Sequence, residues 1–231
     1  MPVFKFKKFN IIHEKSAMKV GTDGVLLGSW APCKKSNTIL DVGCGTGLIT
    51  LMIAQRNLKS IVTGIEVDTI SSKEAQLNIN NSNWKERIQI IHTSFQNFKT
   101  KIKFDLIVSN PPFFPANNSY KRRDIARHTN SLSFEELVWN SVKVLSKTGI
   151  LAIIIPKASE AYFCEIAKAN DLHCNRACYI RGNEFSEVKR VMMEFSFTKS
   201  KCQIQQLIME ISRHQYTNEY IQLCKDFYLD M

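Results

Sequence analysis

From residue 38 onward, short apolar runs alternate with longer segments whose apolar positions recur every three or four residues. This is the rhythm of buried strands separated by amphipathic helices. The runs at 38–42, 61–68, 88–91, 104–108 and 150–155 are rich in Ile, Leu and Val on both alternating faces, as strands covered from both sides must be. Helices are expected at 48–56, 71–83 and 137–145, the last announced by a capping box over Ser133 and Glu136. A helix at 159–170 and strands at 174–181 and 189–197 follow. Thr217 then caps a final helix with Ile221, Cys224 and Phe227 or Tyr228 turned inward. The alternation describes a mostly parallel α/β sheet with helices on both faces.

The chain ahead of the first core strand is different in kind. Residues 3–12 alternate Phe4, Phe6 and Phe9 with Lys5, Lys7 and Lys8, so one face of an extended segment can pack while the lysines meet phosphate or keep an edge strand soluble. Glycines at 21 and 24, around Thr22 and Asp23, predict a turn before a short helix that runs to Pro32. With 231 residues the chain suits one large domain: an N-terminal arm and cap over 1–37, a core over 38–198, and a C-terminal strand and helix over 199–231.

The net charge of +10 favours a polyanionic partner. Seven cysteines without a CxxC pair read as free thiols in a reducing compartment. The N-terminus lacks an apolar leader, and the longest apolar run, 150–155, is far too short to span a bilayer. A cytoplasmic monomer without membrane attachment is the expectation. No metal is expected either. His128 and His173 read as surface or core residues, and Cys174 and Cys178, on one strand face, lack further clustered ligands.

The candidate chemistry lies where strands end. Gly43, Gly45 and Gly47 open the helix at 48–56, letting backbone approach a ligand closely and offering helix N–H groups to a carboxylate or phosphate. Their spacing is GxGxG, where a dinucleotide fingerprint wants GxGxxG. Glu66, near the tip of the second core strand, is placed to accept both hydroxyls of a ribose, and Ser94, after the third, lies where an adenine ring would sit. Asn110-Pro111-Pro112-Phe113-Phe114 ends the strand at 104–108 abruptly, because neither proline can donate to a ladder. The Asn110 side-chain oxygen and the Pro111 carbonyl can each accept a hydrogen of a planar –NH2 group, while Phe113 or Phe114 stacks on its flat face. Lys121, Arg122, Arg123 and Arg127 follow closely, placed to hold phosphates on either side of an unpaired base.

Asp41-Val-Gly-Cys-Gly-Thr-Gly47, Glu66 and Asn110-Pro-Pro-Phe113, in that order, resemble the class I S-adenosylmethionine-dependent methyltransferases that modify exocyclic amines. Three further stretches resemble the bacterial tRNA(Val) adenine-37 N6-methyltransferase family: the Phe-Lys segment 4–9, the segment 18–28, and Arg123-x-x-Ala-Arg127. The resemblance runs essentially the whole length. It implies a Rossmann-like class I fold with a seven-stranded, mostly parallel sheet, and S-adenosylmethionine held over the glycine loop with Asp41, Glu66 and Ser94. It implies an adenine of a tRNA anticodon loop as acceptor, with Asn110 and Pro111 at N6 and Phe113 stacked on the base. Many relatives in the wider class carry an acid after the third strand, where this chain has Ser94.

Three other readings compete. A protein glutamine methyltransferase uses the same Asn-Pro-Pro-aromatic logic but looks to need a helical substrate domain ahead of the core. A ribosomal RNA guanine N2-methyltransferase differs only in the acceptor amine. A catalytically silent RNA-binding module would not need Asp41, Glu66 and Asn110 together. The glycine spacing disfavours an NAD-dependent oxidoreductase, and hydride transfer has no use for the Asn-Pro-Pro-Phe loop.

Overall fold

The computed structural model describes residues 3–112 and 132–231. Its centre is an eight-stranded sheet built from β3 (Thr38–Val42), β4 (Ile61–Glu66), β5 (Ile88–His92), β6 (Phe104–Ser109), β7 (Leu145–Pro156), β8 (His173–Arg181), β9 (Arg190–Ser196) and β10 (Gln203–Ile208). The spatial order is β10-β8-β9-β7-β6-β3-β4-β5. Every pairing is parallel except the two made by β9. Successive residues point to opposite faces, and both faces are buried. Ile39, Leu106, Val108, Ala152 and Ile154 join one core, and Leu40, Ile107, Leu151, Ile153 and Ile155 join the other.

The first core is covered by α1 (Thr22–Trp30), α2 (Leu48–Arg56), α3 (Thr69–Asn80) and α6 (Asn218–Cys224). The second is covered by α4 (Phe134–Val144) and α5 (Glu160–Ala169). Two small hairpins lie outside the sheet: β1 (Val3–Lys5) with β2 (Asn10–Ile12), and β11 (Glu210–Ser212) with β12 (Gln215–Tyr216). Both expected caps are formed. Ser133 and Glu136 make a reciprocal capping box, and the Thr217 side chain accepts from the Tyr220 N–H. In the last helix and its tail, Cys224 and Phe227 are buried, while Ile221 and Tyr228 are half-buried.

Four expectations need correction. The sheet has eight strands rather than seven. The eighth is β10, the strand expected within 199–231, here an exposed edge of Gln203, Gln205 and Gln206 that pairs parallel with β8 and joins the sheet. Gly24 is inside α1 rather than in a turn before it. A Cβ there would stand 3.0 Å from a Leu48 methyl, and one at Gly28 would stand 2.6 Å from the Met52 sulfur, so these glycines let α1 close onto α2. Residues 3–12 form a hairpin, with Phe6 and Phe9 stacked at 4.7 Å, instead of one extended segment. Cys174 and Cys178 face opposite cores, because the β8–β9 register shifts between Cys174 and Arg176 and inverts the alternation.

Candidate active site

β3 is the point where the chain reverses its direction of travel across the sheet, since β4 and β5 lie on one side and β6 on the other. The crevice beyond the carboxyl ends at such a point is where open α/β sheets bind ligands. Val42 is paired with Ser109 on one side and Ile65 on the other. Gly43, Asn110 and Glu66 therefore emerge side by side at one edge. The Ser109 hydroxyl donates to the Val42 carbonyl at 2.9 Å and fixes the two loops relative to each other.

The glycine loop is strained in the way only glycine tolerates. Gly43, Gly45 and Gly47 have φ of +70°, +56° and +85°. A Cβ at Gly43 or Gly45 would meet nothing within 4 Å, so open space lies in front of them, whereas Gly47 backs onto Ala75 and Ile79 of α3. The Gly43 and Cys44 N–H groups donate to the Ile65 carbonyl at 2.9 and 3.0 Å. Glu66 secures the rest: one carboxylate oxygen accepts from the Gly45 N–H and the other from the Asp68 N–H, both at 2.8 Å. Each oxygen retains a further lone pair. A carboxylate expected to face a ribose thus also holds the loop that forms the site.

Asp41 is fully buried beneath this loop. One carboxylate oxygen accepts from the Thr50 hydroxyl at 2.6 Å, and the other has no hydrogen-bond partner among the described residues. Burial pushes its carboxyl up to about 7. The Thr50 hydrogen bonds oppose the shift and the neighbouring Glu66 charge adds to it. Ser94 follows β5 at the same edge, half-buried, with its hydroxyl accepting from the Asn97 N–H at 3.3 Å.

Asn110 stands directly after β6. Its side-chain oxygen is buried and has no partner among the described residues, while Pro111 is buried and Pro112 exposed. An unpaired buried carbonyl oxygen costs free energy that a donor group entering the crevice would recover. Phe113, Phe114, Lys121, Arg122, Arg123 and Arg127 lie outside the described residues. Of the N-terminal lysines, Lys5 and Lys8 are exposed, but the Lys7 ammonium donates to the Lys225 carbonyl at 2.6 Å and to the Met231 carbonyl. That tie joins the first hairpin to the C-terminal tail.

Two partnerships at this edge were not foreseen. The Asn78 carboxamide accepts from the Ile12 N–H and donates to the Ile12 and Thr46 carbonyls, each at 2.9 Å, clamping the N-terminal arm to the glycine loop. One turn earlier on α3, Glu74 accepts from the N–H groups of Lys15 and Ser16 at 2.7 and 3.0 Å. Asp23, at the start of α1, accepts from the Arg190 guanidinium at 2.8 Å at the start of β9. Polar residues four apart on α3 are the one local signal for the first of these; the second joins residues too distant in sequence to pair by inspection.

Residues 15–164 match the model of the methyltransferase small domain family. The tRNA1(Val) (adenine(37)-N6)-methyltransferase of Phocaeicola vulgatus is 41% identical to the chain, covering 100% of it and 99% of the relative. The protein of the same name from Flavobacterium johnsoniae is 43% identical, covering 99% and 100%. Among solved structures, a predicted O-methyltransferase from Agrobacterium tumefaciens superposes with a TM-score of 0.68 at 19% identity, covering 88% of this chain and 96% of that one, which speaks to the fold alone.

Proposed function

The chain belongs to the methyltransferase small domain family and, within it, to the tRNA1(Val) (adenine(37)-N6)-methyltransferases, and on that premise we infer that it methylates N6 of adenine 37 in tRNA1(Val). The observation that carries this reading is the buried Asn110 oxygen, without a hydrogen-bond partner among the described residues and held one strand away from an open glycine cradle.

S-adenosylmethionine supplies an electrophilic methyl group on a sulfonium, which needs neither a metal nor a covalent enzyme intermediate to be transferred. The residues present suit it. Gly43 and Gly45 leave room for close approach, the spare lone pairs of Glu66 match a ribose diol, and Asp41 lies buried beneath the loop with one carboxyl oxygen held by the Thr50 hydroxyl. Ser94 offers a hydroxyl where the adenine of the donor would sit.

The acceptor amine is a poor nucleophile because its lone pair is delocalised into the base. The Asn110 oxygen and the Pro111 carbonyl would each accept one amine hydrogen, directing the lone pair out of the ring plane. As the nitrogen becomes tetrahedral and cationic, those two hydrogen bonds strengthen, so they stabilise the transition state more than the bound substrate. The methylated cation is acidic and loses its proton readily. Phe113, with Phe114 beside it, would stack on the target base, and Lys121, Arg122, Arg123 and Arg127, with Lys5 and Lys8, would hold the flanking phosphates. An anticodon-loop adenine is already unpaired, so presenting it costs little.

Nucleoside mass spectrometry of tRNA from cells with and without the gene tests the reading. Loss of N6-methyladenosine from tRNA1(Val) alone is expected; an unchanged nucleoside profile would overturn it.

A further inference from the structure

Phe185 is 93% exposed, more than any other large apolar residue described. It sits on the turn between β8 and β9, whose place the strand pairing fixes. Pro156, the last residue of β7, is opposite Arg190, and Arg190 is opposite Ile180. The turn therefore rises from the same edge of the sheet as Asn110 and the glycine loop. β9 and β8 are the second and third strands from β6. At about 4.8 Å per strand, the turn stands about 10–14 Å from the strand that delivers Asn110.

The turn is also built to hold its ring outward. The Asn183 side-chain oxygen accepts from the Phe185 N–H at 3.0 Å and the Ser186 hydroxyl at 2.7 Å, and the Ser186 hydroxyl accepts from the Asn183 N–H at 3.0 Å. The charges around it are mixed. Exposed Lys189 and half-buried Arg181 flank the turn, and Arg190 at its base is paired with Asp23, but Glu184 and Glu187 lie on the turn itself. Two carboxylates make it a poor phosphate clamp. What the turn offers a nucleic acid is a flat apolar face, with cations set back on either side.

We propose that Phe185 is a substrate-binding residue that stacks on an unpaired anticodon-loop nucleotide neighbouring the target adenine, fixing the loop while that adenine enters the crevice. This rests on the tRNA reading above. Stacking of this kind is indifferent to base identity, since every base has a π-face, and the ring gains in the complex the burial it lacks in the free protein. The separation from Asn110 suits a neighbour of the target better than the target itself.

The test uses the full-length enzyme and a tRNA1(Val) transcript, comparing Phe185→Ala and Phe185→Trp with wild type. Phe185→Ala should raise KM for tRNA about five- to hundred-fold, the range of one lost base stack, while kcat, donor affinity and melting temperature stay near wild type. Phe185→Trp should restore KM. Transcripts carrying 5-iodouridine at successive anticodon-loop positions should photocrosslink to the peptide containing Phe185 from a position beside the target. An unchanged KM in Phe185→Ala, with wild type active on the transcript, would overturn this proposal and leave the tRNA reading standing. A wild-type enzyme inert on every tRNA would overturn both.

Discussion

Glu66 carries two duties on one carboxylate. Its carboxylate ties Gly45 and Asp68 into the cradle and, in the proposed complex, also accepts the ribose diol. Glu66→Gln removes the charge and sets an amide N–H against one of the two backbone N–H groups, so donor affinity measured by calorimetry should weaken by about 1.5–3 kcal/mol. An unchanged dissociation constant would remove the ribose role. Asp41 makes a different prediction, because burial raises its folded-state pKa to about 7 from an ordinary value of 3.8. The native state then binds more protons than the unfolded chain between those values. The contribution of Asp41 to stability is fully present below about pH 4 and is lost as pH rises through about 7. Asp41→Asn should therefore flatten the fall in melting temperature between about pH 4 and pH 7, and an identical pH profile in the variant would contradict the assignment.

At the scale of elements, the N-terminal arm and the glycine loop are coupled through α3. Asn78→Ala leaves the Ile12 N–H and the Ile12 and Thr46 carbonyls without their partner. It should cost about 1–3 kcal/mol of stability, expose the arm to protease ahead of global unfolding, and weaken donor binding. Arm protection equal to wild type would mean that Glu74 alone holds the segment. This coupling also marks where the sequence ceased to be legible. The central strands could be read closely because burial on both faces writes an apolar run, and the helix at 134–144 because its cap is a local motif. For Gln203–Ile208 only a strand somewhere within 199–231 is legible, since an edge facing solvent carries no apolar run to fix its bounds. Gly24 reads as punctuation because glycine in a turn and glycine at a tight helix contact look the same without the partner helix. The register shift beside Cys174 is set by pairing and leaves no trace in residue order. Within the site, Asn110 and the glycines were legible as contiguous motifs, and the Asp23–Arg190 ion pair was not.

At the scale of the whole molecule, a chain of charge +10 is matched to a polyanion, and its proposed grip on RNA divides between cations and aromatic faces. Replacing Lys121, Arg122, Arg123 and Arg127 with alanine should weaken tRNA binding and flatten the plot of log K against log salt by roughly 0.7 per lost phosphate contact. An unchanged slope would place the RNA elsewhere. The central claim is that Asn110 activates an adenine amine beside a methyl donor. It is tested most directly by single-turnover methylation of a tRNA1(Val) transcript, read as N6-methyladenosine at position 37, with wild type and Asn110→Ala compared at saturating donor and tRNA. The account predicts modification by wild type and a rate about 10²–10³-fold lower in the variant, the scale of one deleted preorganised contact, with donor and tRNA affinities nearly unchanged. A variant that methylates at the wild-type rate, or loses donor binding in proportion to rate, would contradict it.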